Sequence, residues 1–382
     1  MNHVIKLILR KKKQNALLII QLFVSFIILF IIFSWIFNLR KGYDSATTVK
    51  KDDVVVATIN FQGDHTAKRD LLLQKLEQNE LIEDFALSSQ NAPFSKYMVK
   101  KYASYKELGQ TVEVISTSKE FGEVLDLDML EGKWFSSTDG QDLAIITRSL
   151  KYNWFGEQNA IGKHITLKNA ESNTKIKVVG VVDDYKHFND YNSMGYGIIV
   201  PIKADDYINK LVVKKKEFVS DYALEKKLYA DLVKIDKDWQ IEIEKLDKLA
   251  ETQNSSVTIP LLVFSLIGGF LILNIIFGIS GILFMNISKR EKEVGIRRAI
   301  GANRNKISGQ FMTEMMVVSS IAILISIIIA IQFPILKVFD IASEVYINSI
   351  IVSTLSIYII GLICSFIPSK KASYLEPKEI LG

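Results

Sequence analysis

The chain has 382 residues, 49% of them hydrophobic, with 47 Lys+Arg against 42 Asp+Glu and a formal net charge of +5. These averages merge unlike populations: residues 1–37 and 258–382 are packed with Ile, Leu, Val and Phe, whereas across residues 38–257 acids slightly outnumber bases. The positive excess therefore lies beside the apolar runs, a membrane-topology pattern, and a nucleic-acid binder with a basic soluble face is excluded.

The first apolar run, Ala16–Phe37, follows Lys6, Arg10, Lys11, Lys12 and Lys13 with no acid among them. It is longer than the apolar core of a secretory signal and no small-x-small cleavage site follows, so an uncleaved signal anchor is expected. Next comes a soluble-type segment, residues 38–257. Residues 54–61 (VVVATINF) read as a buried strand, Thr66–Gln78 as a helix, Asp84–Ser88 as a strand and Tyr97–Ile115 as a hairpin-like stretch. Short strands are expected at Leu143–Thr147, His164–Leu167, Lys175–Val182, Gly197–Ile202, Lys210–Val213 and Gln240–Leu246, with a helix near Tyr222–Ile235. The pattern is α+β, a mostly β insertion between two βα-type halves. The lone cysteine, Cys364, is in the last apolar run, so no disulfide staples this segment.

Three further runs follow: Ile259–Ile287, Phe311–Phe333 and Val345–Ile367. Crossing a hydrocarbon core takes about 20 apolar residues as helix, and four stretches meet that length. The expected fold class is an integral membrane α-helical protein of four transmembrane helices, with an α+β extracytoplasmic domain inserted between the first and second spans. Domains are expected at 1–37, 38–257 and 258–382. Ser265 with Gly269, Ala322 with Ser326 and Ala330, and Gly361 with Ser365 form small-residue rows that allow close helix approach. The first span has no glycine and many Phe, so more of it is expected to face lipid.

Orientation follows from Lys and Arg. The loop between the second and third spans holds Lys289, Arg290, Lys292, Arg297, Arg298, Arg304 and Lys306 against Glu291 and Glu293; the tail adds Lys370, Lys371 and Lys378. The loop between the third and fourth spans has only Lys337 against Asp340 and Glu344. Both termini are then cytoplasmic and residues 38–257 lie outside.

Catalytic chemistry is thin. No two of His3, His65, His164 and His187 share a metal-ligand spacing, and Asp183, Asp184 and His187 read better as a turn after a strand than as a site. No G-x-S-x-G elbow and no G-x-x-x-x-G-K-[ST] loop occurs in these 382 residues. An enzyme is disfavoured, and no cofactor or metal is expected on this chain.

The segment Ser288–Gln310 reads SKREKEVGIRRAIGANRNKISGQ. Glu293 and Arg297 stand at i,i+4 in the favourable order, Ile296 and Ile300 form one apolar edge, Gly301 ends the helix and Asn303 caps the next. On these residues alone, a topology-fixing loop and a docking element stay equally open.

Residues Arg290–Ala302, REKEVGIRRAIGA, resemble the signature of the MacB/FtsX-like ABC transporter permease family. Gln310-Phe311 with Glu314, and the tail Pro368–Leu381 (PSKKASYLEPKEIL), are similar to its continuation and ending. Gly132–Phe135, Trp154–Gly156, Ile161–Lys163 and Val178–Val182 resemble the MacB-type periplasmic core domain. The resemblance implies a type VII architecture in the cell (inner) membrane with two permease chains, homodimeric or paired with a related permease, and two ATPase chains. The ATPase, with its ATP and Mg, is expected on a separate polypeptide, coupling by mechanotransmission or export. Glu291, Glu293, Gly295, Ile296, Arg297, Arg298, Ala299, Gly301 and Ala302 would form the ATPase-coupling element, with Arg297 and Arg298 donating to a partner groove. Glu314 would anchor it through Arg or Lys, or cap a backbone end. Membrane lipids surround the spans; a periplasmic adaptor or outer-membrane component is a further expected partner. Two alternatives stay open: an FtsX-like regulator of an extracytoplasmic enzyme, and a membrane sensor without ATPase.

Overall fold

The computed structural model describes residues 12–44, 49–60, 66–95, 98–136, 140–168, 173–193, 195–203, 206–336 and 338–373. They form two compact units, one from the chain up to Arg40 together with Ile259 onward, the other Lys41–Thr258. The basic residues Lys6, Arg10 and Lys11, the ends of the expected strand at Phe61 and hairpin at Tyr97, and the tail beyond Ser373 lie outside the described residues.

The chain opens with helix α1 (Lys12–Asp44). Strand β1 (Val54–Asn60), helix α2 (Thr66–Glu77) and strand β2 (Ile82–Ser88) follow, then β3 (Lys100–Tyr105), β4 (Leu108–Thr117) and β5 (Met129–Gly132). Next are β6 (Leu143–Thr147), α3 (Arg148–Phe155), β7 (His164–Lys168), β8 (Asn173–Val182), β9 (Lys186–Asn189), β10 (Asn192–Ser193) and β11 (Gly197–Pro201). The inserted unit ends with β12 (Lys210–Lys215), α4 (Asp221–Ile235) and β13 (Gln240–Lys245).

Strands β2, β12, β1 and β13 lie side by side, every pairing antiparallel. With α2 after β1 and α4 after β12, this is a split β-α-β pattern of ferredoxin-like order. Val55, Ala57 and Ile59 of β1 pack against Leu72 and Leu76 of α2 and Leu224, Leu228 and Leu232 of α4. The alternate residues Val54 and Val56 face a second core with Phe94, Phe121, Ile115 and Tyr185. Burial on both faces explains why VVVATIN is an almost unbroken apolar run rather than an alternating one.

The inserted β segment closes on itself. Strands β4, β3, β7, β8, β6 and β11 pair in sequence, and β11 returns to β4 in parallel register from Gly197↔Glu113 to Pro201↔Thr117. Closure removes the exposed edges an open sheet would leave. Its core holds Ala103, Val112, Val114, Ala144, Ile146, Ile165, Ile176, Val178 and Ile198, with Leu150, Trp154 and Phe155 of α3 among them. Each Val, Leu, Ile and Phe side chain among them contributes roughly 1.5–3 kcal/mol on burial.

Asp183 and Asp184 follow strand β8, in the short link to β9, and from there they serve the start of α3. The Asp184 carboxylate accepts from the Ser149 backbone N–H at 3.0 Å and from its hydroxyl at 2.5 Å, while Arg148 pairs with Asp183 at 2.9 Å. Carboxylates at a helix N-terminus satisfy its free N–H groups and its dipole. His187 is fully buried beside Tyr185, ring centroids 5.6 Å apart, and burial pushes its pKa down to about 3.

The remaining helices are α5 (Leu246–Ser288), α6 (Glu291–Ala299), α7 (Arg304–Ala330) and α8 (Ser343–Ser373). Four helices, α1, α5, α7 (through Ile335) and α8, are long and apolar enough to cross a membrane. Ala322, Ser326 and Ala330 are buried, and Gly361 lies against the Ser319 hydroxyl, so these two small-residue rows are used within the chain. Gly269 is exposed with open space where a side chain would begin, so the Ser265–Gly269 row is not.

The expectation for the first span is reversed. A third of its apolar window (33%) is buried, against 11% for α5. Leu18, Leu22, Phe26 and Phe30 fill the groove formed with Val318, Ala322 and Tyr346, and Phe30 sits edge-on to Phe333 at 5.2 Å. Lacking glycine between Ala16 and Phe37, α1 supplies the knobs; Gly268 and Gly278 of α5 supply holes for Ile32 and Gln21.

Candidate functional site

Helix α6 is short and would not hold its place by propensity alone. It is seated by a small apolar cluster, Ile287, Val294, Ile307 and Phe311 with Ala302 beside it. Val294 and Gly295 are buried; Ile296 is 49% exposed, Ile300 81%, and Ala299 between them is exposed. Gly301 follows at φ +96°, a left-handed turn that costs other residues strain, and the Asn303 side chain accepts from the Asn305 N–H to cap α7.

A closed ring of polar side chains fixes the orientation of this helix. Arg290, at its N-cap, donates from Nε to Glu293 at 3.1 Å and from Nη1 to Glu314 of α7 at 2.7 Å. Gln310 donates to the second Glu314 oxygen at 3.0 Å and accepts from Arg297 Nη1 at 2.7 Å. Arg297 Nη2 returns to Glu293 at 2.6 Å. Every contact carries at least one formal charge, the strong class of hydrogen bond.

Arg290 is 8% exposed and stacks over Phe311 at 4.9 Å. Burial alone would pull its pKa down, but Glu293 and Glu314 hold it above the ordinary value. A cavity of ≈ 50 Å³ adjoins the ring, lined by Asn15, Asn286, Arg290, Phe311, Glu314 and Ser365.

Glu314, the residue expected to meet Arg or Lys, is in contact with Arg290 at 2.7 Å. Both terminal nitrogens of Arg297 are engaged inside the chain, with Gln310 and Glu293. Arg298 makes one long contact, 3.5 Å, to the Ala302 carbonyl. Glu291 lies in the first helical turn, half-buried, and Lys292 beside it is exposed. Arg290 and Gln310 were not among the expected site residues; the signal for them was spacing, since both stand one helical turn from a ring partner in sequence. Among the described residues, no group of three His, Cys, Asp or Glu side chains could hold a metal ion.

Four membrane-length helices, a folded insertion after the first, and a ring-locked helix between the second and third define a multi-pass membrane protein of the permease class. Residues 256–377 match the model of the FtsX-like permease C-terminal region, and residues 16–229, more than half the chain, that of the MacB-like periplasmic core domain. The chain belongs to the MacB/FtsX-like family of ABC transporter permeases.

Among its relatives, the pyoverdine export ATP-binding/permease protein PvdT of Pseudomonas aeruginosa is 24% identical over 292 residues, 73% of this chain and 43% of that one. The macrolide export ATP-binding/permease protein MacB of Bdellovibrio bacteriovorus is 38% identical over 106 residues, 27% of this chain and 16% of that one. The chain spans less than half the length of the curated relatives it matches. The crystal structure of the periplasmic region of MacB from Actinobacillus actinomycetemcomitans is similar at 14% identity and a TM-score of 0.41, covering 53% of this chain and 92% of that one.

Proposed function

We propose that this chain is the permease subunit of an ABC transporter, coupling ATP hydrolysis on a partner ATPase in the cytoplasm to conformational change in the inserted domain outside. The observation that carries this reading is the two-faced α6: one side locked to α7 through Arg290 and Glu314, the other presenting Ile296, Ala299 and Ile300 outward. An exposed apolar edge on a rigidly held helix suits insertion into a partner's groove. The excess of Lys and Arg beside the spans supports a cytoplasmic position for that edge, where ATP is. The names of the relatives, which pair ATP binding with a permease, support the same reading. Mg-ATP belongs to the partner.

The ring makes a displacement of α6 a displacement of α7, since no side chain in it can move without breaking a charge-assisted contact. In the inserted unit a second fastening suits receipt of that motion. Asn254 of α5 donates to Asp190 Oδ2 at 2.8 Å and accepts from the Asp190 N–H at 2.8 Å, and Lys51 reaches the same carboxylate at 2.5 Å. Lys186 lies over the ring of Tyr43, in the last turn of α1, at 4.0 Å. The β9–β10 hairpin thus holds the end of α1 and the start of α5 together.

The test uses the tagged full chain, recovered from its native membrane in detergent. An ATPase co-purifies, and the pair Ile296→Asp with Ile300→Asp removes it while the unfolding temperature of the permease stays unchanged. Retention of the ATPase by that variant overturns the docking assignment.

A further inference from the structure

The small cavity beside the polar ring lies where the four apolar runs meet one surface of the bilayer. Asn15 immediately precedes the run Ala16–Phe37, Asn286 is one residue from the end of Ile259–Ile287, and Ser365 is two from the end of Val345–Ile367. Glu314 stands three residues into Phe311–Phe333, about 4.5 Å of helix at 1.5 Å per residue. All four line the cavity. Its depth is therefore where hydrocarbon gives way to lipid headgroups. Lys289 just past α5, and Lys370 and Lys371 in the last turn of α8, are exposed at the same helix ends.

The lining is rich in acceptors. Asn286 Oδ1 is buried and has no hydrogen-bond partner among the described residues. The Ser365 hydroxyl donates to the Leu362 carbonyl at 3.1 Å, so its oxygen is left to accept. Both Glu314 oxygens are met, by Arg290 and by Gln310, and each keeps a further lone pair. The Arg290 guanidinium, also on the lining, is engaged by Glu293 and Glu314. A buried acceptor left unmet is costly, so an occupant that donates is favoured. A phosphodiester or a carboxylate brings no donor and would face the Glu314 charge. Size narrows the choice further: a water-sized occupant takes about 10–15 Å³, so ≈ 50 Å³ admits about three to five such atoms.

We infer that this cavity receives the primary ammonium group of a lipid headgroup, phosphatidylethanolamine, from the adjoining leaflet. The N–C–C end of ethanolamine matches the volume, and its three N–H donors match Asn286 Oδ1, the Ser365 oxygen and Glu314. The added positive charge lies against the Glu314 carboxylate, which two cations then share. The phosphate of the same headgroup stays at the surface. There Lys371 offers a counter-charge, set over the ring of Phe284 at 4.8 Å, next in sequence to the lining residue Leu283. A trimethylammonium group has no N–H and three more methyl groups, so choline lipids fail on both chemistry and size. A free amine has the same chemistry, but a lipid is confined to this depth by its tails and reaches a far higher local concentration. The inference rests on membrane insertion and not on ATPase docking, so the two can fail separately.

The full chain is reconstituted in bilayers of equal parts phosphatidylethanolamine, phosphatidylcholine and phosphatidylglycerol, then extracted in mild detergent. Mass spectrometry of the intact chain counts the lipid of each headgroup that stays bound. Phosphatidylethanolamine is expected to exceed each of the others about tenfold, the ratio that one charge-assisted hydrogen bond supplies. Asn286→Leu and Ser365→Val reach the cavity from different helices, and each brings that ratio close to one. Thr354→Val, about three turns from Ser365 on α8, leaves it unchanged. The ratio is read within each variant, so a general loss of stability lowers all three lipids together and does not move it. Equal retention of ethanolamine and choline lipids by the parent means that water alone fills the cavity, and overturns the proposal. Equal retention of phosphatidylglycerol assigns a hydroxyl in place of the ammonium. Free ethanolamine retained as well by the chain in phosphatidylcholine bilayers assigns a soluble amine. Either result overturns the lipid assignment, as does a preference that survives both cavity variants.

Discussion

The loop between the second and third spans and the rim of the inserted domain both carry carboxylates within hydrogen-bond distance of cations, in very different surroundings. Arg290 meets Glu314 at 2.7 Å with 8% and 19% of the two side chains exposed. Lys203 meets Asp142 at 2.8 Å with 41% and 62% exposed. Distance alone would rank them as equals. Burial separates them, because a buried charge that loses its partner has no water to replace it. A contact of one length thus holds a helix in place at one position and decorates a surface at the other.

The comparison is tested hardest at Arg290. Arg290→Met strands the Glu314 carboxylate a turn or more into a membrane helix and is expected to cost about 3–5 kcal/mol, read as thermal unfolding of the detergent-solubilised chain. Arg290→Met with Glu314→Leu removes both charges, and most of that loss returns. If the double variant is no better than the single one, the pair is not the determinant.

His187 extends the contrast to a titrating group within the inserted domain. Burial lowers its pKa from 6.5 to about 3, so between those values the unfolded chain binds a proton that the folded chain does not. Stability is complete above pH 6.5 and falls as pH drops toward 3, by at most about 1.4 kcal/mol per pH unit, or about 2 kcal/mol at pH 5. His187→Leu, of similar volume, removes this part of the acid dependence. An unchanged pH slope in that variant would sink the attribution.

The fastening at Asp190 is intermediate. Partial burial favours the protonated acid, but Lys51 and Asn254 win and hold its pKa below the ordinary 3.8. Its contribution is therefore complete above pH 3.8 and lost only as pH falls through the lowered value. Asn254→Ala removes one donor and one acceptor and is expected to cost about 1–2 kcal/mol at neutral pH. Loss of the same size from Thr252→Ala, a nearby exposed position, would remove the special standing of Asn254.

Much of this was legible from the residues in order. Period and length marked the four spans and most strands, because burial on two faces wrote VVVATIN as a solid run and burial on one face wrote His164–Lys168 as an alternating one. Gly301 and Asn303 announced the end of α6 and the cap of α7 by backbone chemistry that acts locally. Helix α3 and the β9–β10 hairpin escaped because they are short and their reasons are remote: α3 begins where β6 ends and is fixed by Asp184, 35 positions away. Barrel closure by β11 on β4 escaped for the same reason. The lipid exposure of α1 was misjudged because Phe suits a lipid face and a helix groove equally; the neighbours decide. The polar ring was half legible: Glu293 and Arg297 by their spacing of four, Gln310 and Glu314 likewise, but not the crossing bonds that join the two pairs.

The smallest expected effect is also the sharpest control. Lys203→Ala breaks the Lys203–Asp142 pair at 2.8 Å, the same length class as Arg290 to Glu314, in a place where water takes over both partners. Exposed pairs gain little Coulomb energy in high dielectric and lose side-chain freedom when they form, so the variant should lie within about 0.5 kcal/mol of the parent. Added salt should not separate the two proteins further, since screening weakens a contact that contributes little from the start. A loss above about 1.5 kcal/mol at Lys203 would mean that length, not burial, governs these pairs, and the weight given to the ring around Arg290 would then have to be shared with every short contact on the surface.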